Sequence, residues 1–388
     1  MIIKRDYYLQ QLISSKSNNL IKIVTGIRRS GKSFLLFNLF HNHLIETGIS
    51  EDHIIEIALD DRLNKNLRDP DVILQHIHER IVDDKLYYII LDEVQMINEF
   101  TDVLNSLLHI RNADVYVTGS NSKFLSKDVV TEFRGRGDEI HLFPLSFAEL
   151  YNSIGGDKFE LWKSYYTYGG LPGILELDSE KKKAAYLRSL HETVYLKDII
   201  ERNNLKNSEE FMELMRVMAS CIGSPCNPSK LENTFKSVKN ETLDRKTISK
   251  YLSYMEDAFL IEKSMRYDIK GRKYIGTLSK YYFQDIGLRN ALLNFRQVEE
   301  NHIMENVIYN ELRLRGFCVD VGMVEARTAK ERKQLEVDFV ANMADRRYYI
   351  QSAFAMPDDD KREQECASLK RIDDSFKKII IMRDDIKP

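Results

Sequence analysis

The feature that most constrains this chain is a glycine-bounded turn between an apolar strand and a helix. The apolar run at residues 20–24 is followed by "GIRRSGKS" and then by "FLLFNLF", which has the pattern of a buried helix. The spacing G-x-x-x-x-G-K-S in this context is typical of a phosphate-binding loop. Gly26 and Gly31 let the backbone curl so that its N–H groups face phosphate oxygens. This turn favours an α/β protein that binds a nucleoside triphosphate.

The residues of the turn divide into backbone donors and two side chains with roles of their own. Lys32 is expected to reach the β- and γ-phosphates, and the Ser33 hydroxyl to ligate Mg²⁺. The start of the helix adds a dipole that is favourable for an anion. The predicted nucleotide-binding residues are Gly26, Ile27, Arg28, Arg29, Ser30, Gly31, Lys32, Ser33 and Phe34.

Two acidic residues follow a second apolar strand. "KLYYIILDEVQ" reaches Asp92 and Glu93 after a buried run, which places both carboxylates where ligands bind in parallel sheets. Asp92 is predicted to hold Mg²⁺ through water, and Glu93 to polarise the attacking water. An isolated Asp-Glu pair after a strand is more often a solvated turn, so this interpretation depends on the phosphate loop.

A third strand and a glycine-rich loop supply candidates for the remaining catalytic groups. "DVYVTGSNS" ends in polar residues, of which Asn121 is predicted to hold the lytic water or the γ-phosphate, with Ser120 as the alternative. Arg134 and Arg136 lie beside glycines, and an arginine there could neutralise transition-state charge in cis or from a neighbouring subunit. An oligomer is therefore one expected state. A solvated basic loop is the alternative.

In order and spacing, these motifs resemble a known family of ATPases. The phosphate loop, "LDEVQ", "TGSNS" and "GRG…PLSF" are similar to the AAA-type (AAA_14-like) domain of a bacterial and archaeal family. The C-terminal part of that family is a domain of unknown function (DUF4143-like). The resemblance covers essentially the whole chain and implies ATP as the nucleotide. It also implies an AAA-type sheet with helices on both faces, a core at 1–150 and a helical lid at 151–206.

The alternation of strands and helices in the front third independently predicts a parallel sheet. The expected strands lie near residues 20–25, 53–59, 86–91, 114–118 and 139–143.

Residues 207–285 have the outline of a winged helix: three helices, a strand, a basic turn and a strand. The third helix, in "DRKTISKYLSYMEDAFLI", would enter a DNA major groove, and the turn in "IKGRKYI" would touch the backbone. Residues 229–275 hold eleven basic and seven acidic side chains, a basic excess in a chain of net charge -3. A winged helix that binds protein is the alternative. The predicted DNA contacts are Arg245, Lys246, Lys250, Lys270, Arg272 and Lys273.

Residues 286–388 resemble the restriction-endonuclease-like fold. Nucleases of that fold use a helix glutamate, a strand aspartate and then E-x-K on the next strand. In this chain Gln351 and Ala353 hold the two positions of the E-x-K motif. Gln351 offers a carbonyl but no charge, and Ala353 cannot position or deprotonate water. We therefore predict a degenerate, inactive site that could still hold DNA or a protein, and a rearranged metal site that includes Glu336 is the alternative. The four positions are held here by Glu305, Asp338, Gln351 and Ala353.

Composition defines the expected environment. A net charge of -3 argues against a uniformly basic nucleic-acid coat. No apolar run approaches the roughly 20 residues that span a bilayer, and "MIIKRDYYLQQLISS" has no apolar signal core. The four cysteines lack paired spacing, which is typical of reduced thiols. We expect a cytoplasmic protein without a membrane partner.

The function hypothesis is a Mg²⁺-dependent ATPase that couples ATP turnover to double-stranded DNA through the winged helix. A nucleotide-dependent switch that binds a protein partner is the second hypothesis. An ATP-coupled nuclease with a noncanonical site is the third.

Overall fold

The computed structural model describes residues 2–119, 135–239, 243–296, 299–327 and 332–383. By internal contacts the chain forms two units. The first comprises Met1–Gly156, Leu171–Gly173 and Asp257–Phe259. The second comprises Asp157–Gly170, Ile174–Glu256 and Leu260–Pro388.

The first unit contains a five-stranded sheet in the order β2-β3-β4-β1-β5. All neighbouring strands are parallel. Strands β1 and β3 are buried along their whole length, as expected for a parallel sheet that is covered on both faces. The predicted α/β class with a parallel sheet is confirmed. The strands are β1 Ile21–Thr25, β2 Ile54–Ala58, β3 Tyr87–Asp92, β4 Ala113–Thr118 and β5 Gly137–His141.

Two helices of the first unit, Pro70–Arg80 and Phe147–Ile154, begin at side-chain caps. Asp69 accepts hydrogen bonds from the backbone N–H groups of Asp71 and Val72, and Pro70 occupies the first helical turn of Pro70–Arg80. This helix and Phe100–Leu107 pack on one face of the sheet. The helical segments are Asp6–Ser14, Lys32–Phe34 continuing through the π-helix Leu35–Phe40 into His41–Glu46, Pro70–Arg80, Phe100–Leu107 and Phe147–Ile154. Short 3-10 helices lie at Glu51–His53, Arg62–Arg68, Val94–Met96 and Pro172–Glu176.

The second unit contains a six-stranded mixed sheet in the order β11-β10-β9-β8-β6-β7. Pairs β6–β7, β8–β9 and β9–β10 are antiparallel, whereas β6–β8 and β10–β11 are parallel. The strands are β6 Ile261–Asp268, β7 Lys273–Phe283, β8 Cys318–Arg327, β9 Arg332–Met343, β10 Arg346–Ala353 and β11 Lys377–Met382.

Most helices of the second unit precede its sheet in the chain. All four cysteines are free thiols. Within the described ranges, no helix is both long and apolar enough to cross a membrane. The helical segments are Lys158–Tyr168, Glu180–Leu190 with His191–Leu196 and Lys197–Asn203, Ser208–Ser220, Pro228–Thr234 with Phe235–Lys239, Arg245–Asp257, Ile286–Leu292, Glu300–Leu314, Asp359–Cys366 and Leu369–Arg371.

The structure changes how the predicted middle and C-terminal segments relate. The hairpin β6–β7 comes from the predicted winged helix at 207–285, yet β6 pairs with β8 of the predicted segment 286–388. One sheet therefore includes both segments, because β6 satisfies a backbone edge that β8 would otherwise expose. The helices from Lys158 onward, predicted as a lid, fall in the second unit as well. The winged helix and the lid remain predictions.

Candidate nucleotide-binding site

The phosphate loop follows β1 and turns through three residues with positive φ. These are Gly26 at 136°, Arg29 at 66° and Gly31 at 98°. A Cβ atom on Gly26 would lie 2.2 Å from the carbonyl oxygen of Leu142, so only glycine fits there. Arg29 adopts a conformation that L-residues rarely populate, which is a feature of functional loops.

The loop lysine lies against the backbone of its own loop. Lys32 is buried, and its Nζ donates to the carbonyl oxygens of Gly26 at 3.0 Å and Ile27 at 3.1 Å. Both acceptors are neutral, so a phosphate would be a stronger acceptor for the same ammonium group. The geometry thus fits a lysine that changes partners when an anion binds.

The loop serine and the strand acid meet at the carboxyl edge of the sheet. Asp92 ends β3, and it is hydrogen-bonded to the side chains of Ser33 and Thr118. Burial raises the pKa of the Asp92 carboxyl group, while these two hydrogen bonds oppose that shift. The two oxygen-bearing side chains predicted to hold Mg²⁺ are therefore neighbours, as a hard cation requires.

Two residues that the sequence reasoning missed fix the acids in place. Thr118, at the end of β4, donates from Oγ1 to Asp92 Oδ1 and accepts from the backbone N–H of Glu93 at 2.8 Å. Gln95 Nε2 donates to Glu93 Oε2. Glu93 itself has a positive φ of 53°. The sequence pattern that points to Thr118 as a functional residue is its place as the polar end of the apolar run "DVYVT".

Of the other predicted catalytic groups, the structure describes only Arg136. Asn121, its alternative Ser120 and Arg134 lie outside the described residues. Arg136 is exposed, and its Nη1 donates to Asn105 Oδ1 at 3.2 Å.

The position of Arg136 does not suit a role in cis at this site. Its carbonyl oxygen accepts from the N–H of Ile21 at the start of β1, whereas the phosphate loop follows the end of that strand. The two ends of β1 are roughly 13 Å apart at 3.3 Å per residue. Arg136 precedes β5, as the sequence predicted, and so lies at the end of the sheet away from the phosphate loop. A role toward a neighbouring subunit remains a prediction.

The six predicted DNA contacts are all exposed. Helix Arg245–Asp257 buries Ile248, Tyr251, Leu252 and Met255. Its basic residues Arg245, Lys246 and Lys250 are therefore left in solvent. Lys270 and Arg272 lie in the turn between β6 and β7, and Lys273 begins β7. Exposure is what phosphate contact requires, and DNA binding itself stays a prediction.

A buried lysine from residues 207–285 lies among carboxylates of residues 286–388, the segment predicted to be nuclease-like. Lys280 on β7 is 3% exposed, and its Nζ lies 2.8 Å from Glu305 Oε1 and 2.7 Å from Glu336 Oε1. Asp338 Oδ1 is 4.0 Å away. The sequence reasoning sought this lysine at position 353 and missed it, because β7 lies much earlier in the chain than the strands of the other residues.

Of the predicted degenerate site, the structure brings together Glu305 and Asp338 but not Gln351. The Gln351 amide faces Glu365 and Ser368, each at 3.5 Å. In the part of the chain that the structure describes, no three His, Cys, Asp or Glu side chains form a metal-binding group. Lys280 supplies the positive charge that a metal would bring to these carboxylates.

Comparison with known proteins agrees with the geometry of the first unit. Residues 18–151, which include the phosphate loop, Asp92 and Thr118, match the model of an AAA domain. Residues 159–299 match a domain of unknown function, DUF8612. The predicted likeness to DUF4143 is not confirmed by this match.

A close relative shows the family. An uncharacterized protein of Haemophilus influenzae is 34% identical over 387 residues, which cover 98% of this chain and 93% of that protein. The chain belongs to the same family as this protein. An uncharacterized protein of Methanocaldococcus jannaschii is 29% identical, over 96% of this chain and 82% of that protein.

Solved structures give weaker similarities. The ORC2 protein of Aeropyrum pernix has a TM-score of 0.40 at 13% identity, covering 76% of this chain and 91% of that one. The Cdc6p protein of Pyrobaculum aerophilum has a TM-score of 0.31 at 12% identity, covering 79% and 96%. At these TM-scores the similarities carry no functional argument.

The hydroxyl of Thr118 should matter for turnover. Thr118→Val keeps the shape but removes the donor to Asp92 and the acceptor for Glu93 N–H. Because partners of metal-binding side chains typically contribute about tenfold or more to activity, we expect kcat for ATP hydrolysis to fall by about that factor. Affinity for ADP measured without Mg²⁺ should stay within about twofold. Thr47→Val, at an exposed helix end, is the matched control, and an unchanged kcat in Thr118→Val would contradict the assignment.

Asp338 should make stability depend on pH. Burial and the nearby Glu305 charge raise its pKa to about 7, well above 3.8, so the native state holds a proton that the unfolded state releases. The resulting stabilisation is complete below pH 4 and is lost as pH rises through 7. Relative to Asp338→Asn, the free energy of unfolding should fall between pH 5 and pH 8 by about 3 kcal/mol.

Urea unfolding followed by circular dichroism at both pH values measures this difference. Asp345→Asn, at an exposed position in the turn after β9, is the control and should follow the wild type. Parallel pH profiles for wild type and Asp338→Asn would show that Asp338 does not bind the proton.

Proposed function

We propose that this chain is a Mg²⁺-dependent ATPase. The observation that carries the proposal is the meeting of Ser33, Asp92 and Thr118 at one edge of the sheet, beside a loop whose lysine donates to the neutral carbonyl oxygens of Gly26 and Ile27. The match of residues 18–151 to an AAA domain supports it.

Each side chain has a defined role in this proposal. Ser33 and Asp92 would hold Mg²⁺, which neutralises phosphate charge when bound. Lys32 leaves the carbonyl oxygens of Gly26 and Ile27 to bind the phosphates. Glu93 polarises the attacking water, and Thr118 keeps Asp92 oriented. Asn121 and Arg134 remain candidates for the lytic water and the transition-state charge.

The proposed role of ATP turnover is to act on double-stranded DNA. Support comes from the exposed basic residues of helix Arg245–Asp257 and of the β6–β7 turn, which stand in a chain of net charge -3. A local basic surface on an acidic protein is the pattern of a phosphate-binding face.

A protein-binding switch, with ATP setting its conformation, is the second candidate. It is favoured by Glu256 and Asp257 on the same helix. The cytoplasmic location and the oligomeric state remain predictions.

ATP hydrolysis with and without duplex DNA, at two salt concentrations, tests both proposals. Lys32→Ala should lose nucleotide binding in calorimetry, since it removes the ammonium that binds the phosphates. Glu93→Gln should bind ATP but lose at least about 99% of kcat, since an amide cannot polarise water as a carboxylate does. Normal turnover in Glu93→Gln would assign water activation to another residue.

Hydrolysis measured with duplex DNA has two informative outcomes. Stimulation that fades as salt rises would connect turnover to phosphate contacts. The charge-reversed variant Lys246→Glu should lose the stimulation, whereas Arg362→Glu, an exposed reversal on helix Asp359–Cys366 of the same unit, should keep it. Turnover that ignores DNA at both salt concentrations would reject the DNA role and favour the protein-binding switch.

We further propose that the nuclease-like segment does not cut DNA. Lys280 bonds two of the three carboxylates, and none of the described carboxylate clusters is arranged for a metal. Incubation of plasmid and linear duplex with Mg²⁺ or Mn²⁺, with and without ATP, should therefore leave the DNA intact. Metal-dependent cleavage that is present in wild type and absent in Asp338→Ala would overturn this and restore the ATP-coupled nuclease.

A further inference from the structure

A buried arginine near the N-terminus contacts the phosphate loop. Arg5 is 4% exposed. Its Nη1 donates to the carbonyl oxygen of Ser30 at 3.3 Å, and its Nη2 to that of Phe143 at 2.8 Å. Its Nε lies 2.8 Å from Glu149 Oε1. The guanidinium also stacks over the ring of Tyr8 at 4.6 Å. One side chain thus joins the start of the first helix, the phosphate loop and the segment after β5.

The side chain of Ser30 does not anchor this part of the phosphate loop. It is fully buried, yet its hydroxyl has no hydrogen-bond partner among the described residues. Its N–H donates to the carbonyl oxygen of Ile27 at 3.3 Å, which restrains the amide end of the residue. The neighbouring Arg29 and Gly31 both have positive φ, a conformation that ordinary residues must be held in. The bond from Arg5, also 3.3 Å long, restrains the carbonyl end of this residue.

The restraint on Ser30 acts on the next residue through the peptide bond. In a planar trans peptide the carbonyl of one residue and the N–H of the next point in opposite directions. When Arg5 holds the Ser30 carbonyl on its own side, the Gly31 N–H must point away from Arg5. In a phosphate loop, N–H groups facing the loop centre are what bind the anion.

We propose that Arg5 is a positioning residue that orients the Ser30–Gly31 peptide so that the Gly31 N–H faces a bound phosphate. This inference rests on the proposed nucleotide binding. Its effect comes from geometry more than from charge, because Glu149 neutralises the guanidinium at 2.8 Å. The planar fork of arginine can bond the carbonyl oxygens of Ser30 and Phe143 while it forms an ion pair with Glu149, whereas a lysine ammonium cannot span all three.

Calorimetry with ADP, and competition by inorganic pyrophosphate, tests this proposal on the full chain. The variants are Arg5→Met, Arg5→Lys and Glu149→Gln, with Lys4→Met as the control at an exposed neighbouring position. Since a hydrogen bond from a charged donor is lost, both Arg5 variants should bind ADP and pyrophosphate about tenfold more weakly. KM for ATP should rise by the same factor, with kcat changed less. Lys4→Met should stay within about twofold of wild type, and so should Glu149→Gln, because glutamine keeps the shape and a side-chain oxygen at this position.

The outcomes separate a positioning role from a purely structural one. Binding is measured at a temperature where circular dichroism shows each variant to be folded, and Arg5→Lys keeps the ion pair with Glu149 if Arg5→Met fails to fold. Wild-type affinity in a folded Arg5→Lys, or an equal loss in Glu149→Gln, would overturn the proposal. Failure of both Arg5 variants to fold would assign Arg5 to folding and also overturn it. If the wild type binds no ADP, the proposed ATPase function fails first and this inference with it.

Discussion

The backbone approach between Gly26 and Leu142 is the constraint on which the candidate site depends. With only 2.2 Å between a would-be Cβ and a carbonyl oxygen, no side chain fits at position 26. The N–H of Leu142 also bonds the carbonyl of Thr25 at 2.8 Å, so the chain leaving β5 is fixed against the chain leaving β1. This contact sets where the phosphate loop starts. The positions of Lys32 and Ser33 follow from it.

The sheet order then decides which residues can reach the loop. Strand β1 lies between β4 and β5. Thr118, at the end of β4, therefore flanks the loop on one side, and the segment after β5 flanks it on the other. Asp92 comes from β3, one strand further away, and reaches Ser33 through a hydrogen bond that Thr118 supports. Parallel strands bring all their carboxyl ends to one edge, which is why residues distant in the chain form a single site.

Two buried lysines show how electrostatics can give one residue type opposite roles. Lys32 bonds neutral carbonyl oxygens of Gly26 and Ile27, and such bonds are weaker than bonds to an anion. A phosphate can therefore replace them. Lys280 is bonded to the carboxylates of Glu305 and Glu336 and has a raised pKa, so its charge is fully engaged within the protein. The first arrangement suits an exchangeable ligand, and the second suits a fixed core.

The sequence alone determined the local elements. The predicted strands near 20–25 and 86–91 appear as Ile21–Thr25 and Tyr87–Asp92, and the loop glycines have the expected positive φ. These follow from apolar runs and glycine spacing, which are short-range properties. Only the tertiary structure decided that Thr118 holds Asp92, that Arg5 contacts Ser30, and that Lys280 joins Glu305. The physical reason is that strand neighbours and buried ion pairs depend on contacts between distant segments, which no local pattern encodes.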